Sequence, residues 1–300
     1  MEDGVPLDRL KAAQGGSRRD LARLLTEVED GRVAASELLG SSRPQGRSIA
    51  TTGPPGVGKS CFIDHFLRAH AERGEAIALL AVDPSSALSG GALLGDRIRL
   101  SSPDDASVAE RIYVRSIATR RSSGSIPSVL GDLVQVLHGC GWPLVVIETV
   151  GAGQSEVRCA AVADRIVLME GPARGDAVQA EKAGLLELAD LVLVNKADLD
   201  GAERHAAELR DSLALDGPEP PEVLLMSAHT GVGLGEALEA LRDLPARSGS
   251  ERARARERLA NAAEARLVRH EDYEDILARI GNGTLAPEAV SYTHLTLPTN

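Results

Sequence analysis

Apolar and polar positions alternate along this chain in two registers. Short, nearly continuous apolar runs fall at Ser48–Thr52, Ala76–Val82, Ile112–Val114, Leu144–Glu148, Arg165–Met169, Leu191–Val194 and Val223–Met226. Runs of that length suit strands buried on both faces. Between most of them, apolar residues recur at helical spacing over Lys59–Arg73, Ile126–Gly139, Glu156–Ala163, Val178–Ala189, Gly201–Leu213 and Leu234–Arg242. Strands alternating with helices predict an α/β fold with a mostly parallel sheet. Ligands of such sheets bind beyond the carboxyl ends of the strands.

The flanks follow a different pattern. Residues 1–45 read as a helical preface. Ser17 can cap a helix that places Leu21, Leu24, Leu25 and Val28 on one face and ends at Gly31; a second short helix spans Val33–Leu39. The sheet unit then occupies 46–246, and 247–290 form a helical arm. In the arm Leu259, Ala263 and Leu267, then Tyr273, Ile276, Leu277 and Ile280, fall at helical spacing. This stripe fits a solvated helix and an oligomer contact equally well. The last ten residues, SYTHLTLPTN, depart from the Ala-, Leu-, Arg- and Glu-rich style of the chain. They resemble sequencing-adaptor read-through, so 291–300 is read as a non-native tail without function.

Composition narrows the classes. The chain has 300 residues, 43% of them hydrophobic, with a formal net charge of -11. An acidic balance excludes a general nucleic-acid binder, and no apolar run is long enough to span a membrane. Cys61, Cys140 and Cys159 are far apart, which argues against a disulfide scaffold and favours the reducing cytoplasm. Of 33 basic residues only Lys11, Lys59, Lys182 and Lys196 are lysines. Where this chain needs a positive charge it generally uses arginine, so each lysine points to a need for a compact ammonium.

Two of those lysines sit in nucleotide motifs. Gly53-Pro54-Pro55-Gly56-Val57-Gly58-Lys59-Ser60 matches GxxxxGK[ST], between a strand and an amphipathic helix. Glycines let the loop curl so that its N–H groups face phosphate oxygens, and the helix N-terminus adds its dipole. In that pattern Lys59 bridges the β- and γ-phosphates and Ser60 ligates magnesium. Cys61 follows on the same helix start, where a thiol pKa can fall; it reads rather as a small residue facing the nucleotide site through its backbone. The second motif, Asn195-Lys196-Ala197-Asp198, follows the strand Leu191–Val194. A carboxylate at Asp198 can accept from both the ring N–H and the exocyclic amine of guanine, a donor pair that adenine lacks. Asn195 would brace the phosphate loop and the Lys196 stem would lie along the base. Ser227-Ala228-His229 suits a second base loop, with the Ala228 N–H toward the guanine carbonyl and His229 as a loop residue.

Carboxylates at strand ends complete the expected site. Glu148-Thr149-Val150-Gly151 closes one strand. Glu148 suits magnesium, directly or through water, and the Gly151 N–H suits the γ-phosphate. Asp83 ends another strand, and Asp96 lies beyond the Gly90-Gly91 pair; both are candidates for the magnesium shell.

GPPGVGKS, VDPSSALSGGALLGDRIR, ETVGAGQSE and NKAD, in this order, strongly resemble the methylmalonyl-CoA mutase-associated GTPases over about residues 10–290. The resemblance implies a signal-recognition-particle-like P-loop GTPase fold with N-terminal helices and a C-terminal helical arm. It also implies slow intrinsic conversion of GTP to GDP with Mg2+, and a homodimer. The implied partner is an adenosylcobalamin-dependent acyl-CoA mutase, whose cofactor loading and protection the GTPase would gate. Gly175–Lys182 aligns with the family's third switch, which makes Gln179 and Lys182 catalytic candidates beside Lys59 and Glu148. The chain departs there, with Ala177-Val178 where the family commonly has Glu-Leu, and Ala183 after Lys182 where it has a second lysine. A nickel-insertion GTPase and an ATP-using kinase linked to amino-acid transport are the alternatives. Isolated cysteines and dispersed histidines weigh against the first, and the guanine motif weighs against the second.

Overall fold

A computed structural model describes residues 4–40, 44–83, 100–118, 126–149, 157–158, 160–172, 179–216, 219–247, 251–268, 270, 272–287 and 289–290. Seven parallel strands form one sheet in the order β3-β2-β4-β1-β5-β6-β7. They are β1 (Arg47–Thr52), β2 (Ile77–Asp83), β3 (Ile112–Ala118), β4 (Leu144–Thr149), β5 (Arg165–Glu170), β6 (Leu191–Val194) and β7 (Glu222–Leu225). The sheet is parallel as the pattern predicts, with small shifts at the strand ends. β3 runs four residues further than the apolar run, because its pairing with β2 continues from Ile77↔Ile112 to Asp83↔Ala118.

Successive strand residues face opposite sides, and the core divides accordingly. On one face Leu80, Val145, Ile147 and Ile166 pack with Leu130, Leu133 and Leu137 of α5 (Ile126–Gly139). On the other Ile49, Leu79, Val146 and Val167 pack with Phe62, Ile63, Phe66 and Leu67 of α4 (Lys59–Glu72). Past β5, Val192 and Val194 meet Ala206, Leu209 and Leu213 of α7 (Ala202–Asp216), and α6 (Gln179–Leu188) contributes Leu185. α8 (Leu234–Arg242) places Ala237 and Leu241 beside the α4 cluster. The helix expected at Glu156–Ala163 is helical at Val157, Arg158 and Ala160 and turns at Ala161; Glu156 lies outside the described residues.

The preface packs into the same core. α1 (Gly4–Gln14), α2 (Arg18–Glu29) and α3 (Ala35–Leu39) bury Leu10, Leu21, Leu24, Leu25, Val28 and Leu38 against α5. Ser17 caps α2 as expected, its hydroxyl accepting from the Asp20 N–H at 3.3 Å. Arg18 donates to the carbonyls of Ala109 (2.8 Å), Glu110 (2.7 Å) and Ile112 (3.0 Å), and its guanidinium lies 5.6 Å over the Trp142 ring.

The arm comprises α9 (Glu251–Val268) and α10 (Tyr273–Gly281). Its spaced apolar residues divide: Leu259 is 72% exposed and Leu277 is exposed, Ile276 is buried, and Arg254 and Asn261 are buried on the inward side of α9. No helix among the described residues is long and apolar enough to cross a membrane.

Candidate nucleotide site

The carboxyl ends of β1, β4, β5, β6 and β7 bring most of the described motif residues together. The loop after β1 turns on three glycines with positive φ: Gly53 (141°), Gly56 (74°) and Gly58 (104°). Space is as tight as the dihedral angles. A Cβ on Gly53 would lie 2.1 Å from the Met169 carbonyl oxygen, and one on Gly58 would lie 2.3 Å from Asn195 Nδ2. Pro55 and Gly56 stand exposed at the rim, while the Val57 side chain is buried. Gly53→Ala is therefore expected to cost on the order of 1–3 kcal/mol in backbone strain alone, with the carbonyl clash in addition. Thermal unfolding and GTP titration of that variant check this; a wild-type melting point and affinity would contradict it.

Helix α4 begins at Lys59 with Gly58 in a left-handed conformation and no side-chain cap. Its first-turn N–H groups thus lack the usual internal acceptor, which leaves them suited to an anion. Lys59 is 7% exposed, and its Nζ donates to the carbonyls of Gly53 (2.5 Å) and Pro54 (3.2 Å). The ammonium therefore folds back over the loop, a position from which it can reach a bound phosphate.

One residue on, Ser60 Oγ donates to Glu148 Oε1 at 2.7 Å. The register sets this meeting: Glu148 of β4 lies opposite Thr51 of β1, which feeds the loop. A hydroxyl against a buried carboxylate is an all-oxygen donor pair that suits a hard divalent cation such as magnesium. Asp83 closes β2 one residue beyond Val82, the partner of Thr149. Asp96 and Gly151 lie outside the described residues. Gln179 and Lys182 lie in α6, whose first residue is Gln179.

The base motif is tied directly to the phosphate loop. Asn195 is buried, its Nδ2 donating to the Val57 carbonyl at 2.8 Å and its Oδ1 accepting from the Ala228 N–H at 2.9 Å. One amide side chain thus joins the loops after β1, β6 and β7. Lys196 adopts φ 65°, alone among the described non-glycine residues in having a positive φ. That turn brings Asp198 beside Ser227, whose hydroxyl donates to Asp198 Oδ1. The Ser227 hydroxyl and the backbone hold the exposed Asp198 carboxyl below its ordinary value, so it is ionised at neutral pH. His229 is exposed in the turn that follows.

Cys61 is exposed at the helix start. Partial desolvation and then the Asp64 carboxylate raise its thiol pKa, which weighs against a thiolate there. The sulfur lies 3.6 Å from the Ala228 carbonyl. Two further residues that shape the site were not singled out in the sequence. His65 Nε2 lies 3.0 Å from that same carbonyl. Glu170 ends β5 buried, and its carbonyl accepts from the Asn195 N–H at 2.8 Å. Glu170 carried the same signal as Glu148, a carboxylate closing an apolar strand; His65 carried none.

A parallel sheet with a glycine loop wrapped over an uncapped helix start, joined through Asn195 to an NKxD turn, defines a P-loop GTPase. The family profile of the methylmalonyl-CoA mutase-associated GTPase MeaB matches residues 21–280, and the chain belongs to that family. A Pyrococcus abyssi protein named as a GTPase is 34% identical, the match covering 94% of this chain and 92% of that one. A Mycobacterium tuberculosis protein, also named as a GTPase, is 40% identical over 75% of this chain and 70% of its own. The mouse methylmalonic aciduria type A homolog, mitochondrial, is 36% identical over 75% of this chain and 55% of its own length. Among solved structures, one titled LAO/AO transport system kinase aligns with a TM-score of 0.65 at 23% identity, covering 96% of each chain. Helicobacter pylori HypB in complex with nickel aligns at 0.50 and 17% identity, covering 72% of this chain and 94% of its own. Both structural likenesses concern the fold.

Proposed function

We propose that the chain binds GTP with magnesium and uses hydrolysis to gate adenosylcobalamin loading into, and protection of, methylmalonyl-CoA mutase or a related acyl-CoA mutase. The observation that carries the nucleotide reading is Asn195, whose one side chain bonds both the phosphate loop and the base loop. The family assignment supports the mutase as partner. The arm supports a homodimer through the exposed Leu259 and Leu277 on its two helices.

In this reading the loop amides of Gly53–Cys61 and the Lys59 ammonium hold the phosphates. Asp198 reads guanine, with Lys196, Ser227, Ala228 and His229 around it; the Ala228 N–H, bonded to Asn195 Oδ1 here, would turn to the guanine carbonyl only on exchanging that partner. Ser60 and Glu148 hold magnesium, and Asp83 and Asp96 complete its shell. The metal, when bound, neutralises charge on the β- and γ-phosphate oxygens. Gly151 offers its N–H to the γ-phosphate. Displacement of labelled GDP by GTP and by ATP, with magnesium present, tests the nucleotide assignment. GTP is expected to displace it at far lower concentration than ATP; equal potency would overturn the assignment.

Gln179 and Lys182 belong to the same reading as residues that act when the partner binds. A lysine brought to the phosphates would stabilise charge on the transferred phosphoryl group as an arginine finger does, an effect of up to about 10³–10⁵ in rate. Lys182→Ala is therefore expected to leave GTP affinity and basal hydrolysis near wild type while removing most mutase-stimulated hydrolysis. Full stimulation in that variant would reduce Lys182 to a surface charge.

A further inference from the structure

Beside the buried Ala253, the inward side of α9 carries side chains that donate to carbonyls. Arg254 of α9 donates to the Asp164 carbonyl (2.7 Å), the Leu188 carbonyl (2.8 Å) and Asp190 Oδ2 (2.5 Å). One turn on, Arg258 donates to the carbonyls of Ala161 (2.9 Å) and Ala163 (2.8 Å). Asn261 follows with a bond to the Arg158 carbonyl at 3.0 Å. Positions i, i+4 and i+7 lie on one helix face. Leu188 ends α6, and 158–163 close the helical turn before β5. Those carbonyls would otherwise need water or a cap. The arm thus supplies the C-terminal caps of elements in the GTPase unit.

The places it grips are the starts of the strands that carry the nucleotide site. Asp190 directly precedes β6, and its Oδ2 also accepts from Ile166 N–H of β5 at 2.7 Å. Asp164 directly precedes β5, and its Oδ2 accepts from the N–H (2.9 Å) and hydroxyl (2.8 Å) of Ser48 in β1. At their other ends β1 leads into Gly53, β5 brings the Met169 carbonyl against Gly53 and the Glu170 carbonyl to the Asn195 N–H, and β6 leads into Asn195. These strands are only four to six residues long, so the two ends of each are close together.

We infer that the Arg254–Asp190 pair, with the carbonyl contacts of Arg258 and Asn261, forms a latch that couples the docking of the arm to the nucleotide held at the far ends of β1, β5 and β6. The contact set rests on the proposed site only for the identity of the nucleotide. Arg254 and Asp190 are both buried, with side chains 7% and 0% exposed. Neither can shift alone without stranding a charge, so the pair parts together or not at all; the latch is the docked arrangement, and its counterpart would be an arm released as a unit. A nucleotide that favours one arrangement favours the matching state of the arm. Linkage then runs both ways: loosening the arm must change the relative affinity for GTP and GDP by the factor with which nucleotide biases the arm.

Two measurements on the full chain test this. Hydrogen exchange of the α9 amides is followed with GDP and with a non-hydrolysable GTP analogue, both with magnesium. Affinities for the same two nucleotides are then measured in Arg254→Met and, because that change can prevent folding, in the double variant Arg258→Met/Asn261→Leu. Wild-type α9 is expected to exchange at rates differing by about fivefold or more between the two states, within the usual range of site-to-site coupling. The latch variants are expected to shift the ratio of the two affinities by a similar factor. A purely structural role would move both affinities together and leave the ratio unchanged, and that result would overturn the latch. So would identical α9 exchange with both nucleotides in the wild type. Failure of the wild type to bind either nucleotide would count instead against the proposed site.

Discussion

Lys59→Ala is expected to lower GTP affinity by about two to four orders of magnitude and to abolish turnover at ordinary substrate concentrations. The ammonium is buried and held by the carbonyls of Gly53 and Pro54, so its direction is set before nucleotide arrives. In the proposed complex it makes charge-assisted bonds to β and γ oxygens. Hydrogen bonds of that kind contribute about 1.5–3 kcal/mol each. Two of them amount to about 3–6 kcal/mol, and each 1.4 kcal/mol is tenfold in affinity. The same substitution removes two internal bonds that organise the loop. Thermal unfolding of the variant beside its GTP titration separates the two effects. A folded Lys59→Ala protein with wild-type affinity would contradict the phosphate assignment.

Asp198→Asn should exchange the preferred base. The carboxylate accepts from two guanine donors, whereas an asparagine amide can donate to the carbonyl that xanthine carries at that position. A site built around a substrate donor rejects the analogue lacking it by up to about 10⁴-fold. Asp198 is open to solvent, so a loss nearer to about 10²-fold for GTP is expected, with a gain for XTP. Ser227 keeps its role, because its hydroxyl can still donate to the asparagine oxygen at the place where Oδ1 now accepts. Competition between GTP and XTP in wild type and variant measures the change. Retained preference for GTP in the variant would remove Asp198 from the base site.

The sheet was legible because parallel strands buried on both faces write continuous apolar runs. β6, with LVLV, has matching bounds in sequence and structure. The phosphate loop was legible because only glycine tolerates the dihedral angles and contacts at 53 and 58. Other features left a weaker trace. α1 buries only Leu10 and Ala13 among its residues with a described burial, too few to mark a stripe. The arm was legible as helix: of its spaced apolar residues Leu259 and Leu277 face solvent and Ile276 is buried, while the inward-turned Arg254 and Asn261 left no apolar trace. Periodicity registers apolar docking, so it finds Ile276 but not the carbonyl contacts of Arg254, Arg258 and Asn261. Which way the Cys61 thiol shifts needed the structure, since position on a helix says nothing about the desolvation and the Asp64 charge that raise it.

Single-turnover hydrolysis of GTP, with magnesium and with or without purified methylmalonyl-CoA mutase, tests the central claim most directly. The family assignment and the nucleotide site together predict slow hydrolysis by the chain alone and a clear acceleration when the mutase is added. Related acyl-CoA mutases serve as parallel arms, to find the client. A rate that no such mutase alters, in a protein that binds GTP normally, would contradict the claim that this GTPase works through a mutase.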